Sequence, residues 1–201
     1  MKWNFTFKNN SHEFTFSQNN PYTVVGGVYT MKMLTTQISG LLQRIIANNE
    51  ESIEETARLL AQATIGEGRV ILACFGELKA VQFVATAGNH NLYGAVRYEP
   101  GMKIETQDRV WILSQHGEDE NALSLARSLA EDFMPFAAVS SVKAEDYELA
   151  DLATTYISTG LKRGLLPGDD GKRIVEPQAI AGLFIYEAVK ISYDEMVVEE
   201  D

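Results

Sequence analysis

The chain of 201 residues has one cysteine, Cys74. A single thiol forms no internal disulfide and supports no thiolate metal framework, so a reducing cytoplasm is the expected location. Basic residues are also scarce: 17 Lys and Arg stand against 28 Asp and Glu, giving a formal net charge of -11 and a pI near 4.8. Nucleic acid and anionic lipid are held by a Lys/Arg excess that displaces counterions, and this chain carries the opposite excess. Neither is an expected partner. No apolar run approaches the roughly 20 residues needed to cross a bilayer, and the N-terminus lacks the uninterrupted apolar core of a secretory signal. Histidine is rare, with three in the chain and none after His116. That limits any scheme of proton transfer that needs a second imidazole.

Nucleotide motifs are missing too. Gly76 ends an apolar run and opens a helical one, but Cys74-Phe75-Gly76-Glu77-Leu78-Lys79 lacks the three glycines that let backbone approach a pyrophosphate. No glycine-rich run ends in Gly-Lys-Ser/Thr, and Ala73-Cys74 are not the adjacent acids of a response-regulator pocket. No cofactor and no metal site is expected.

What remains is an ordinary globular composition, 45% hydrophobic and 22% charged, long enough for one sizeable core. Residues 1–30 stand apart, rich in Asn, Phe, Thr and Ser. Alternation in Trp3–Lys8 and Glu13–Phe16 suits an appended hairpin. A second reading is that translation starts at Met31. Gly26-Gly27-Val28 can be encoded by a GGAGGTG-type ribosome-binding sequence just upstream, and an intact mass that begins at Met1 would refute this. The expected organisation is an extension over 1–30, a domain over 31–193 and an acidic tail over 194–201.

From Met31 the apolar residues Leu34, Ile38, Leu41, Leu42 and Ile45 recur at helical spacing. A second helix is expected from the capping box Ser52-Ile53-Glu54-Glu55 to Gly66. Arg69–Phe75 reads as a strand buried on both faces, followed by a helix over 77–87 that Gly88-Asn89 stops. Further strands are expected at Leu92–Tyr98, Val110–Ser114, Phe136–Ser140 and Thr154–Ser158. A helix over Asn121–Phe133 carries Leu125, Leu129 and Phe133 in register. Leu165–Val175 suits a hairpin with a Pro-Gly-Asp-Asp-Gly tip, and a closing helix starts near Pro177. Strands alternating with helices predict an α/β fold of three layers: a mostly parallel five-stranded sheet with helices on both faces, and two helices before the first strand.

Ligands of such sheets lie beyond the carboxyl ends of the strands, which singles out Asp108–Asn121. The segment Ser114-Gln115-His116-Gly117-Glu118-Asp119, after the strand Asp108-Arg109-Val110-Trp111-Ile112-Leu113, resembles the S-x-S-G-x-T phosphate loop of the sugar isomerase (SIS) domain, the fold of phosphoheptose isomerase. The Gly turn Cys74-Phe75-Gly76 and the Leu149-Ala150-Asp151 triplet are similar to that family as well. The resemblance spans about residues 35–190 in element order. More narrowly, the chain from Met31 resembles the small YwjG-like family of Bacillus-type bacteria, whose members are degenerate SIS proteins.

The resemblance implies a sugar-phosphate ligand, a homodimer through the N-terminal helices, and binding by Gly76, Ser114, Gln115, His116, Gly117, Glu118 and Asp119. It also marks departures. His116 and Asp119 replace two hydroxyl residues, and Leu78 stands where the first loop has a Ser. Phosphoheptose isomerases use a Glu with a His from the closing helix, and that His is missing here. If catalysis persists, His116 with Glu77 or Glu118 would carry it as acid and base. His116 also reads as an ordinary turn residue, and Glu77, Glu118 and Asp119 as first-turn acids rather than oxygen ligands of a cation. The basic loop with Lys162, Arg163, Lys172 and Arg173 offers counter-charge or is simply solvated. The expected function is binding of a carbohydrate derivative without efficient isomerisation. The alternatives are an aldose–ketose phosphosugar isomerase, or a structural or regulatory dimer with a vestigial pocket.

Overall fold

Each continuous apolar run of the central chain becomes a strand with every residue buried or nearly so, as two covered faces require. The computed structural model describes residues 5–9, 12–16, 31–87, 90–141, 148–167 and 172–198. In order these are β1 (Phe5–Asn9), β2 (His12–Phe16), α1 (Met31–Ile65), β3 (Val70–Cys74), a 3₁₀ turn at Gly76–Leu78, α2 (Lys79–Thr86), β4 (Ala95–Arg97), β5 (Arg109–Leu113), α3 (Glu120–Glu131), β6 (Phe136–Ser140), α4 (Glu148–Leu152), β7 (Thr155–Ser158), β8 (Leu166–Pro167), β9 (Arg173–Ile174) and α5 (Gln178–Val198).

Contacts divide the chain into two units. The larger, residues 44–162 and 178–201, holds a five-stranded sheet of order β4-β3-β5-β6-β7, and every neighbouring pair is parallel. Alternate side chains face opposite layers. Ile71, Ala73, Val110, Ile112 and Ala138 meet Ala122, Leu125, Ala126 and Leu129 of α3 and Leu149 of α4. Trp111 points the other way, and its ring stacks on Tyr186 of α5 at 6.5 Å between centroids. Both rings are fully buried, and burying a large apolar side chain stabilises by roughly 1.5–3 kcal/mol. The α/β class, the parallel sheet and helices on both faces are as the sequence implies.

The smaller unit, residues 1–43 and 163–177, contains the antiparallel pair β1–β2, the first turns of α1, and the antiparallel pair β8–β9. Arg173 is committed there: its guanidinium donates to the carbonyls of Gly164, at 2.6 Å, and of Leu165. The tip residues 168–171, the Gly88-Asn89 stop and the acidic 199–201 tail lie outside the described residues.

Four boundaries differ from the sequence reading. The two expected N-terminal helices are present within Met31–Ile65, but they meet at a break at Asn49 (φ -135°, ψ 17°), ahead of the expected start at Ser52. Asn49 leaves helical geometry because its side chain pairs with β7: Nδ2 donates to Ser158 O at 3.1 Å, and Oδ1 accepts from Ser158 N at 3.0 Å. The amide thereby covers the edge strand of the sheet, where unpaired backbone is a liability. The helix expected from Glu77 opens as a 3₁₀ turn and becomes α-helical at Lys79. β4 is shorter than expected, because Gly94 at φ 71° turns the chain just before Ala95. α3 ends at Glu131, and Phe133 is 92% exposed instead of packed. Phe133 occupies the left-handed position of a Schellman cap at φ 54°, with Phe133 N donating to Ala130 O and Met134 N to Leu129 O.

The amino ends of β3 and β5 are tied by Asp108, 1% exposed. It accepts from Arg69 N (2.8 Å), Nε (3.2 Å) and Nη2 (2.6 Å), and from Glu105 N (2.9 Å). Burial alone would raise its pKa, but these bonds and the Arg69 charge outweigh burial and hold the carboxyl below its ordinary value.

Candidate functional site

The strand order sets the place. From β3 the chain moves through α2 to β4 on one side, and from β5 through α3 to β6 on the other. The carboxyl ends of β3 and β5 are therefore a topological switch point, where connections diverge and leave a crevice. The two loops that follow touch. Phe75 N donates to Leu113 O at 2.8 Å, and a Cβ on Gly76, which sits at φ 58°, would lie 3.2 Å from Gln115 Oε1. Gly76 and Gln115 are thus brought together, with Glu77 and His116 next to them along the chain.

The loop is held by its own side chains. Ser114 is fully buried, its N donates to Val139 O, and its Oγ donates to His116 O at 2.8 Å. That hydroxyl shapes the turn instead of facing the crevice. Asp119 caps α3: Oδ1 accepts from Asn121 N at 2.9 Å and from Ala122 N at 3.2 Å. A helix N-terminus offers unpaired donors and partial positive charge to an anion. Here a carboxylate of the chain already occupies two of those donors.

Glu77, His116 and Glu118 are exposed, Gln115 is half-buried and Gly117 is buried. The side chains of Glu77, His116 and Glu118 make no hydrogen bond or ion pair with any described residue, so nothing orients an acid–base pair. Glu77 lies in the first turn after β3, and Glu120 follows the Asp119 cap. Among the described residues no three His, Cys, Asp or Glu converge on a metal position. The thiol of Cys74 is buried and pushed up to about 12, far from the thiolate a nucleophile needs.

Lys162 is exposed on the segment after β7, at the same carboxyl edge. Arg163 and Lys172 belong with Arg173 to the smaller unit. Residues that sequence reasoning did not single out lie at the end of β6 and the start of α5. Ser140 Oγ and Gln178 Oε1 are buried and have no hydrogen-bond partner among the described residues. They belong to one network, since Thr159 N donates to Ser140 O (2.8 Å), Leu161 N to Thr159 Oγ1 (3.3 Å) and Gln178 Nε2 to Leu161 O (3.5 Å). Buried polar atoms left unpaired are rare and mark places where a further donor or acceptor fits. The available signals were the Ser140-Ser141 pair at a strand end and Gln178 directly after Pro177.

A parallel five-stranded α/β sheet with its crevice at this switch point and a strand–turn–helix loop after the central strand is a doubly wound α/β arrangement, and the solved structures it matches have the sugar isomerase fold. The phosphoheptose isomerase GmhA of Neisseria gonorrhoeae matches with a TM-score of 0.56 over 82% of this chain and 96% of its own, at 12% identity. The NanR protein of Vibrio vulnificus, complexed with ManNAc-6P, matches with a TM-score of 0.55 over 83% of this chain and 65% of its own, at 14% identity. Within that fold, the profile of a family described as a domain of unknown function, DUF2529, matches residues 30–197, and the chain belongs to this family. The uncharacterised protein YwjG of Bacillus subtilis strain 168 is 28% identical over 170 residues, which is 84% of this chain and 98% of YwjG.

Proposed function

We propose that the chain is a sugar-phosphate-binding protein of the sugar isomerase type that does not efficiently isomerise its ligand. The observation that carries this reading is the state of the Ser114–Asp119 loop. Its backbone lies at the switch point, where ligands of such sheets bind, while Ser114 and Asp119 are spent on the loop itself and His116 and Glu77 have no orienting partner among the described residues. Isomerisation moves a proton between adjacent carbons and needs a held base and acid; binding needs only shape and polar partners. The buried, unpaired Ser140 Oγ and Gln178 Oε1 supply such partners nearby. The fold neighbours support the ligand class, one a phosphoheptose isomerase and one holding ManNAc-6P.

The protein acts in the cytoplasm as a homodimer, paired through the apolar stripe of its N-terminal helix. Met31 and Met33 at the start of that helix are exposed and in keeping with such pairing. Sedimentation at micromolar concentration tests the dimer.

A thermal-shift panel of sugar phosphates tests the function. Saturation at 100 times Kd stabilises the folded state by about 2.7 kcal/mol, which raises the melting point. Flat melting across the panel would favour a vestigial pocket instead. Turnover of any hexose or heptose phosphate that is lost in His116→Ala would favour the isomerase reading.

A further inference from the structure

A second opening borders the carboxyl end of β3 at Cys74 and Phe75 and reaches the first turn of α3 at Asn121. A cleft of about 590 Å³ separates the start of α2, the segment leaving β4 and the outer side of α3. That volume is within the roughly 300–1,000 Å³ of small-ligand pockets. Its apolar lining comes from Phe75, Pro100 and Leu125, and its polar lining includes Lys79, Tyr98, Asn121, Ser124 and Ser128.

The helix pattern explains the polar wall. α3 commits Ala122, Leu125, Ala126 and Leu129 to the sheet. Asn121, Ser124 and Ser128, spaced three and four apart, therefore share the neighbouring side of the helix.

Two features make this a ligand cleft rather than a surface dent. First, a chain of net charge -11 lines it with a lysine and with no carboxylate. Second, apart from Gln82, whose Nε2 donates to Leu72 O at 3.2 Å, the polar side chains of the lining are uncommitted. The Lys79 ammonium, the Tyr98 hydroxyl and the Asn121, Ser124 and Ser128 side chains make no hydrogen bond or ion pair with any described residue. Cations close by in sequence are engaged: Arg97 lies over the Phe83 ring and donates to Thr86 Oγ1, and Arg127 pairs with Glu148 and Glu120.

We propose that this cleft binds a phosphorylated polyol, with the phosphate on Lys79, the hydroxyls on Asn121, Ser124 and Ser128, and the carbon skeleton against Phe75 and Leu125. The inference rests on the sugar-phosphate reading above and assigns the phosphate to Lys79 instead of to the α3 N-terminus, which Asp119 caps. An ammonium beside small hydroxyl and amide side chains gives a point charge for phosphate and donor–acceptor pairs for vicinal hydroxyls. Cys74, also in the lining, stays a protonated thiol and forms no covalent bond with the ligand.

The test maps backbone amides of the full-length ¹⁵N-labelled chain during titration with inorganic phosphate, glucose 6-phosphate, fructose 6-phosphate and N-acetylmannosamine 6-phosphate. Lys79→Met and the Ser124→Ala/Ser128→Ala double variant run alongside, each first shown to keep the wild-type amide pattern. Saturable shifts centred on Lys79, Gln82, Ser124 and Ser128, tighter for a sugar phosphate than for phosphate, are expected. Lys79→Met should weaken that binding at least tenfold. Shifts centred on 114–119 or 140–141 and unaltered in Lys79→Met would overturn the cleft and leave the sugar-phosphate reading standing. Equal affinity for phosphate and every sugar phosphate would overturn the polyol assignment. No saturable shift with any sugar phosphate would overturn both.

Discussion

Asp119→Ala isolates the feature that separates this chain from a phosphate-binding loop. The carboxylate accepts two N–H groups at 2.9 and 3.2 Å in the first turn of a 12-residue helix. Loss of such a cap costs about 1 kcal/mol, within a range of roughly 0.5–2. Loss of the negative charge at the positive end of the helix adds about 0.3–1. The total is roughly 1–2 kcal/mol, and at about 2–4 °C per kcal/mol for a chain of this size the melting point should fall by about 2–8 °C. Asp119→Asn keeps a cap of equal rank and should lose much less. The freed donors of Asn121 and Ala122 then become an anion site. Phosphate, compared with chloride at matched ionic strength, should therefore raise the melting point of Asp119→Ala by more than it raises that of the wild type. Scanning calorimetry in the two buffers reads both effects. Equal phosphate-induced rises, or an unchanged melting point, would refute the claim that Asp119 closes this helix end to anions.

Other sites give sharper structural tests. Asp108→Ala removes the partner of a guanidinium whose side chain keeps 40% exposure. The cost by chemical denaturation should be roughly 2–3 kcal/mol, below the ~3–5 of a fully buried pair. Because the folded-state pKa of Asp108 is lowered, its stabilisation is complete above the ordinary carboxylate value and is lost as pH falls through the folded value. The gap between wild type and variant should shrink below about pH 4; a gap independent of pH would contradict the assignment. Gly182→Ala places a Cβ 2.5 Å from Leu78 Cδ2, and Leu78 is the fully buried last residue of the 3₁₀ turn. Overpacking of that kind costs about 1–3 kcal/mol, and wild-type denaturation would show that α5 shifts freely. Asn49→Ala leaves Ser158 N and O unpaired at the edge strand, at about 1–3 kcal/mol, with hydrogen exchange at Ser158 rising in step.

Much of the framework was legible because it rests on short-range pattern. The apolar runs at 70–74, 110–113 and 136–139 have no polar position to expose, so each requires a sheet covered on both faces. What escaped the sequence depends on partners far along the chain. Ser52-Ile53-Glu54-Glu55 spells a capping box, yet the helix breaks earlier, because Asn49 is recruited by Ser158, 109 positions away. Phe133 continues the spacing of Leu125 and Leu129, but the Schellman cap at 131–134 ends the helix first. At the candidate site the loop position was readable and its chemistry only partly so. Residue identity showed that hydroxyls had been replaced. That Ser114 turns its remaining hydroxyl onto His116 O, and that Asp119 folds back onto its own helix, required coordinates. Ser140 beside Ser141 and Gln178 after Pro177 were visible as polar residues, but their burial without a partner among the described residues is a property of the assembled fold.

A single ¹H NMR time course on the wild-type chain with hexose and heptose phosphates reads binding and turnover together. Broadened ligand resonances, displaced by a competing sugar phosphate, with anomeric signals constant over hours, are the result predicted for a binding protein without isomerase chemistry. Sharp, unperturbed ligand signals for every sugar phosphate, or growth of the ketose or aldose partner's signals at an enzymatic rate, would contradict it.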